Sequence, residues 1–313
     1  MGELNGLERP LWFGGPALED AYDFRRPGWH DVVGREHASV REAVGVIDLS
    51  GFAKFEVAGS DALGALQYAA SADVDLRIDR ATYTLFLNDH GGIEADGTVT
   101  RLAADRFLVV TPTSSRHRML WLLRRRSRDY AATVVDLTSG TAVLGVFGPA
   151  SRELLARVSP HDWSAQSHPY FAGRRVEIAD GFAYALRVSF TGELGFEVYC
   201  DADVSANVLD ALVAEGSDLG LARVGYLALD SLRLEKGYRH LGHDIGPYDD
   251  PISSGLDFAV GWKKDTTFAG RDALERRALM PSTRVIHVAM QDPSVRLWGE
   301  ETVCIDGRQV GRL

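Results

Sequence analysis

Three stretches of the chain bring acidic, hydroxyl and aromatic residues close enough together to do chemistry. In HGGIEADGTVTRL, His90 to Leu102, Asp96 and Thr98 lie two apart at the entry to a strand, so their side chains share one face. A carboxylate fixed beside a hydroxyl can serve as a general base with an orienting neighbour. Gly91 and Gly92 let backbone approach a ligand or turn sharply. The plain alternative is a hairpin turn whose aspartate satisfies backbone amides. In SFTGELGFEVY, Ser189 to Tyr199, Glu193 and Glu197 are four apart and share a face if the strand is regular, although its two glycines can intervene as bulges. A glutamate between Phe196 and Tyr199 is unusual, because burying an unpaired carboxylate is costly. An exposed edge-strand glutamate is the plain alternative. In DSLRLEKG, Asp230 and Arg233 sit at i,i+3 on one helix face, where a surface ion pair worth at most about 1 kcal/mol is the default.

Other candidates are weaker. Arg124, Arg125, Arg126 and Arg128 read as a solvated helix face, since successive positions point all round a helix. His240 and His243 are two histidines on a loop, a weak metal signal without HExxH or HxH spacing. No GxGxxG or GxxxxGK[ST] follows a strand, so a nucleotide site has no support. The residues alone yield a candidate cleft with two acidic positions.

The elements that must position these residues are legible in part. Residues 1–29 read as an irregular arm rich in Gly, Pro and aromatics, and HDVVGREHASVREAVG as an amphipathic helix. FAKFEVAG alternates as a strand, DALGALQYA is a helix capped by Ser60 or Asp61, and ATYTLFLND is a strand. After the turn-rich HGGIEADG come TVTRLAADRFLVVT as a hairpin, SSRHRMLWLLRRRSRDY as a helix and ATVVDLT as a closing strand. This β-α-β-β-α-β order is a split βαβ, or ferredoxin-like, arrangement. FEVAGSDALGAL and LGVFGPASRELL align without gaps, each a strand ending in Gly followed by a helix, which implies a duplicated α+β unit. RRVEIADGFAYALRVSF and GELGFEVYC read as strands, VSANVLDALVAEG as a helix, and residues 220–236 as one long helix. GYRHLGHDIGPYDDPISSG is loop-like. From Thr283, TRVIHVAM and ETVCIDGRQVGRL read as strands with a hairpin turn at Asp306-Gly307. The pattern stops in mid-course at Leu313, as a truncated β domain would.

The expected organisation is an arm and helix over 1–51, α+β units over 52–140 and 141–250, and a linker with the start of a β-barrel domain over 251–313. A length of 313 residues fits two or three domains. The net charge of −10 disfavours nucleic acid and acidic membranes as partners, since both need a positive surface field. Cys200 and Cys304 alone build neither a disulfide framework nor a zinc site, and with no secretory leader or apolar run of spanning length they fit a reducing cytoplasm.

GREHASVREAVGVIDLSGFAKFEVAGSDAL resembles the opening block of the aminomethyltransferase superfamily. YTLFLNDHGGIEADGTVTRL, SFTGELGFEVY, GYLALDSLRLEKGYRHLGHDI and DDPISSGLDFAVGWKKDTTFAGRDAL look like four further blocks in the right order, over a match from about Arg25 to Leu313. ALDSLRLEKGYR and RRPGWHDVVGREH look like the dimethylglycine and sarcosine dehydrogenase branch; the glycine-cleavage branch usually has Arg where Leu229 stands. The resemblance implies a tetrahydrofolate site. Asp96 would lie beside folate N5 and N10 and assist catalysis, with Thr98 neighbouring the ligand and Tyr83, which opens that block, among the binding positions. Glu197 would hold the pterin, whose adjacent N–H and amino group a carboxylate can accept together. Phe190 stands where Tyr is frequent, so stacking persists without the hydroxyl contact. Arg233 matches the family's SLR arginine in a supporting role.

The resemblance implies transfer of a methylene or aminomethyl unit to tetrahydrofolate, giving 5,10-methylenetetrahydrofolate. The donor would derive from an N-methyl amine, supplied by a separate flavin-dependent dehydrogenase or oxidase. Two alternatives share the fold. One is a folate-dependent O-, N- or S-demethylase making 5-methyltetrahydrofolate. The other is a non-enzymatic folate-binding iron–sulfur maintenance factor, whose motif cysteine is missing from KGYRHLGHD.

Overall fold

The computed structural model describes residues 1–4, 6–15, 23, 26–279, 283–292 and 294–313; the rest of the expected N-terminal arm, including Arg25 at the start of the family match, lies outside them. The chain opens with a hairpin of β1 (Gly2–Leu4) and β2 (Leu7–Arg9), then α1 (His30–Glu42) and β3 (Val44–Asp48). A first unit follows: β4 (Ala53–Ala58), α2 (Ala62–Ala69), β5 (Arg80–Leu87), β6 (Ile93–Ala103), β7 (Arg106–Thr111), α3 (Arg116–Arg126) and β8 (Thr133–Asp136). A second comprises β9 (Thr141–Phe147), α4 (Ser151–Val158), β10 (Gly173–Ile178), β11 (Gly181–Leu186), β12 (Gly195–Asp201), α5 (Ser205–Glu215) and β13 (Leu221–Arg223). Then come α6 (Tyr226–Glu235), α7 (Arg271–Ala278) and a hairpin of β14 (Thr302–Ile305) and β15 (Arg308–Arg312).

The first unit forms a five-stranded antiparallel sheet in the order β5-β6-β7-β4-β8. Without β5 this is the strand order of a split βαβ unit, and β5 adds a further strand beside β6. The second sheet runs β10-β11-β12-β9-β3-β13. Its order matches the first strand for strand, except that β3 is inserted between β9 and β13. Gly59 and Gly148, at equivalent positions after β4 and β9, both have positive φ (141° and 127°). A Cβ at either would meet a backbone carbonyl, Ala131 O at 2.2 Å and Ala43 O at 2.5 Å, so only glycine fits.

Strand alternation assigns three packing layers. Ala53, Phe55 and Val57 of β4 pack outward on Leu66 of α2 and Met119 and Leu123 of α3. Phe196 and Val198 of β12 pack outward on Leu154 of α4 and Leu212 of α5. The inner faces meet each other through Leu108, Val110, Val143, Phe147, Leu186 and Tyr199, joined by Leu229 and Leu232 of α6. Phe55, Phe147 and Phe196 are fully buried, each contributing roughly 2–3 kcal/mol of transfer free energy.

Four expectations need correction. The helix read through Gly45 ends at Glu42, because β-branched Val44–Asp48 finds ladder partners in β9 and, in parallel, β13. The long helix over 220–236 is split for the same reason: Leu221–Arg223 pairs with β3, and α6 starts only after Gly225. Glu36 holds that junction, accepting from Phe13 N at 2.5 Å and Gly225 N at 2.9 Å. HGGIEADG is not all turn, since β6 begins at Ile93 and Asp96 sits opposite Leu85. TRVIHVAM alternates as a strand should, yet it forms no ladder among the described residues; Val285 N donates to Ser253 O and the segment is largely exposed. The Asp306-Gly307 turn does form, with both residues at positive φ. No helix among the described residues is long and apolar enough to cross a membrane.

Candidate functional site

Alternation along β6 sends Ala95 and Val99 to the outer core and Asp96, Thr98 and Thr100 to the inner face. Ladder pairing then lines up Tyr83, Thr98, Val110 and Lys54 in one row across β5, β6, β7 and β4. Asp96, 7% exposed, accepts from Tyr83 Oη at 2.9 Å through Oδ2. Its Oδ1 is buried and, like Thr100 Oγ1, has no hydrogen-bond partner among the described residues. Burial raises the Asp96 carboxyl above the ordinary aspartate range, against the Tyr83 hydroxyl, the residue's own backbone N–H and the His240 charge, which favour the anion. Thr98 is part-buried beside Tyr83 in the row.

On β12, Phe196 and Val198 point outward, so Glu197 and Tyr199 point inward. Glu197 is buried and accepts a hydrogen bond from the Tyr199 hydroxyl. Burial pushes its carboxyl up to about 7, with the Tyr199 hydroxyl and the Lys54 charge opposing. The two acidic positions thus stand on inner faces of opposite sheets, each buried and each paired with a tyrosine hydroxyl.

Phe190, Tyr238 and His240 form an aromatic cluster. Phe190 stacks on Tyr238 with centroids 6.0 Å apart and meets His240 edge-on at 6.5 Å. The His240 charge acts on Asp96. Burial raises the Tyr170 hydroxyl, and the charges of Tyr238 and Glu197 raise it further. Arg233 anchors the loop that carries Tyr238 and His240. It is 4% exposed, donates to Asp230 Oδ1 at 2.7 Å, to Asp244 and to Tyr238 O at 3.2 Å, while Asp244 Oδ2 accepts from His240 N at 2.8 Å. The ion pair read at i,i+3 is therefore half-buried: Arg233 is enclosed while Asp230 stays 50% exposed, and Asp244 returns from the loop to add a second carboxylate.

Other candidates fall elsewhere. Glu193 does not share a face with Glu197: β12 starts only at Gly195, and Glu193 pairs with Arg41 and with Lys236 at 3.4 Å. Gly92 serves loop packing, since a Cβ there would lie 1.9 Å from Pro247 O. Of the arginine run, Arg124, Arg125 and Arg128 are exposed, whereas Arg126 turns in and donates to the Ala69 and Leu87 carbonyls. Beside α3 a separate cleft of about 570 Å³, lined by Tyr68, Glu94, Arg118, Trp121 and Arg125 among others, shares none of the residues around Asp96 and Glu197.

Lys54, Tyr199, Tyr170 and Tyr238 were not legible as site residues. Lys54 occupies the polar phase of the alternating FAKFEVAG, which reads as solvent-facing until a second sheet is known to cover it. Tyr199 carried a signal: it shares a strand face with Glu197 at i,i+2.

Comparison with known proteins follows the same lines. Residues 1–264 match the GCVT N-terminal domain family. The chain is 55% identical, over its whole length, to 4-methylaminobutanoate oxidase (formaldehyde-forming) of Paenarthrobacter nicotinovorans, spanning 38% of that protein. It is 32% identical to an aminomethyltransferase of Symbiobacterium thermophilum, over 92% of this chain and 78% of the relative. The crystal structure of glycine cleavage system aminomethyltransferase T from Bartonella henselae superposes with a TM-score of 0.71 at 28% identity, covering 79% of this chain and 66% of that one. With the motif order, the sheet architecture and these matches in agreement, the chain belongs to the GCVT family, that of the glycine-cleavage aminomethyltransferases.

Proposed function

We propose that the space between the two inner sheet faces binds tetrahydrofolate and that the chain transfers a one-carbon unit to it, giving 5,10-methylenetetrahydrofolate. The observation that carries this reading is the pair of buried inner-face carboxylates, Glu197 and Asp96, with Asp96 Oδ1 lacking a hydrogen-bond partner among the described residues. Native interiors rarely leave such an atom unsatisfied, and a ligand N–H would satisfy it. Glu197, once ionised, accepts the adjacent N–H and amino group of a pterin as a bidentate pair. Phe190 and Tyr238 offer flat apolar surface to the ring system. Tetrahydrofolate supplies the nucleophilic N5 and N10 nitrogens. Asp96 holds the proton exchanged there, its raised pKa moving it towards the working range for proton transfer. Tyr83 orients that carboxylate, and Arg233 fixes the loop that closes the aromatic side.

The one-carbon donor derives from an N-methylated amine oxidised by a flavin-dependent partner. The name of the P. nicotinovorans relative, an oxidase of 4-methylaminobutanoate that forms formaldehyde, supports this class of donor. The common strand order of the two sheets supports duplication of one α+β unit as their origin. Calorimetric titration with tetrahydrofolate tests the site, and saturable binding at or below tens of micromolar is expected. Anaerobic incubation with tetrahydrofolate, an N-methyl amine and a flavin dehydrogenase, followed by mass analysis of the folates, tests the reaction. Methylene product supports the reading. A product heavier by two hydrogens would identify a methyl transfer instead, and absence of binding would remove the folate site altogether.

A further inference from the structure

Helix α6 begins without a side-chain cap of its own. Gly225 stands at its N-cap, and its i→i−4 bonding opens with Leu229 N donating to Gly225 O at 3.2 Å. The N–H groups ahead of Leu229 need acceptors from elsewhere. The N-terminal arm supplies them: Tyr226 N donates to Pro10 O at 3.0 Å and Leu227 N to Leu11 O at 3.1 Å. The approach is close. A Cβ at position 225 would lie 2.2 Å from Leu11 O, which leaves room for glycine alone.

Glu36 of α1 fastens this junction. It is 4% exposed, and its carboxylate accepts one N–H from each side, Phe13 N on Oε1 at 2.5 Å and Gly225 N on Oε2 at 2.9 Å. A carboxylate satisfies both donors. An amide of the same shape satisfies one and turns its own NH2 towards the other. The Arg9 guanidinium over the Tyr226 ring, 4.3 Å from its centroid, is a second tie between arm and helix.

The other end of α6 carries the site. At 1.5 Å per residue its 10 residues span about 15 Å. Leu229 and Leu232 lie in the core between the sheets. Arg233 in the last turn donates to Tyr238 O at 3.2 Å and to Asp244, holding the loop from which Tyr238 stacks on Phe190. A short packed helix moves as a rigid element, so what fixes its first residues also fixes where its last turn places that loop.

We propose that Glu36 is a positioning residue for the ligand site: by joining the N-terminal arm to the start of α6, it sets the loop that presents Tyr238. This rests on the pteridine reading for the identity of the ligand beside Tyr238. Loosening the junction lowers the fraction of molecules whose loop is ready to bind, and apparent affinity falls with that fraction.

The test uses the full chain as wild type, Glu36→Gln and Val57→Ala, the last a truncation in the outer core of the first sheet that lowers stability away from α6. Backbone hydrogen exchange is read at residues 225–229 and 237–245, and tetrahydrofolate affinity by calorimetric titration, with circular dichroism showing each chain folded. Glu36→Gln is expected to exchange about tenfold or more faster in both segments and to bind about 3- to 10-fold more weakly, its KM for tetrahydrofolate raised and its kcat kept. Val57→Ala is expected to keep wild-type exchange at 237–245 and wild-type affinity. Faster exchange of Glu36→Gln at 225–229 alone overturns the proposal, since the junction then steadies only itself. So does a Val57→Ala chain that loses loop protection and affinity to the same extent, which would make the effect one of general stability. If the wild type binds no tetrahydrofolate, the pteridine reading fails, while exchange at 237–245 still decides the role of Glu36.

Discussion

Replacing Glu197 with glutamine should make the empty protein more stable at alkaline pH while removing its ligand affinity. The carboxyl is 6% exposed, and burial moves it from an ordinary 4.5 up to about 7. The folded chain therefore holds this proton more tightly than the unfolded chain, and stability falls as pH rises through that window. At about 1.4 kcal/mol per unit, the fully ionised side chain costs the fold on the order of 3 kcal/mol. Glutamine has the same shape and no charge to desolvate. Between about pH 5 and about pH 8, the stability of Glu197→Gln relative to wild type should rise by roughly 2–3 kcal/mol. Urea denaturation of both proteins at the two pH values measures this directly. A fixed offset, such as one new unsatisfied amide, cancels from the comparison. A difference that does not change with pH would refute the claim that Glu197 is held desolvated between the sheets. The same titration predicts that wild-type affinity for tetrahydrofolate drops about tenfold per unit below about pH 7, because the ligand needs the ionised form.

Asp96→Asn should bind tetrahydrofolate nearly as the wild type does but lose about 10²- to 10⁴-fold in turnover, the usual contribution of a positioned acid or base. Turnover at the wild-type rate would remove Asp96 from the chemistry. Arg233→Met should cost about 1–3 kcal/mol in urea denaturation, because it removes the hydrogen bonds that tie the loop to α6 while half-exposed Asp230 and part-exposed Asp244 keep some solvation. A loss below about 1 kcal/mol would return the pair to the surface class. Gly92→Ala should destabilise by about 1–3 kcal/mol through the clash with Pro247 O, and an unchanged midpoint would show that the loop simply yields.

Local periodicity carried most of the element types, and the reasons for the misses are consistent. FAKFEVAG, ATYTLFLND and RRVEIADGFAYAL alternate and form strands, because their own side chains specify a pleated surface with a buried face. β3 escaped detection because a five-residue strand after a helix becomes one only by pairing with β9, roughly a hundred positions downstream. Leu221–Arg223 depends on that same distant pairing. The family resemblance pointed to Asp96 and Glu197, whereas residue chemistry alone favoured a turn aspartate and an edge glutamate. Lys54 shows the limit most clearly. A lysine in the polar phase of a strand reads as solvated, and only the packing of a second sheet over it reveals a buried charge. Arg233 was misjudged for a related reason, since its second carboxylate arrives from a loop with no periodicity to announce it.

A crystal structure of the chain with tetrahydrofolate decides whether the inner-face carboxylates hold the ring. The pteridine is expected between the two sheets, its amino edge within hydrogen-bond distance of the Glu197 carboxylate and its reacting nitrogens beside Asp96 Oδ1. A ring bound in the cleft beside α3, or bound between the sheets with both carboxylates untouched, would contradict that expectation.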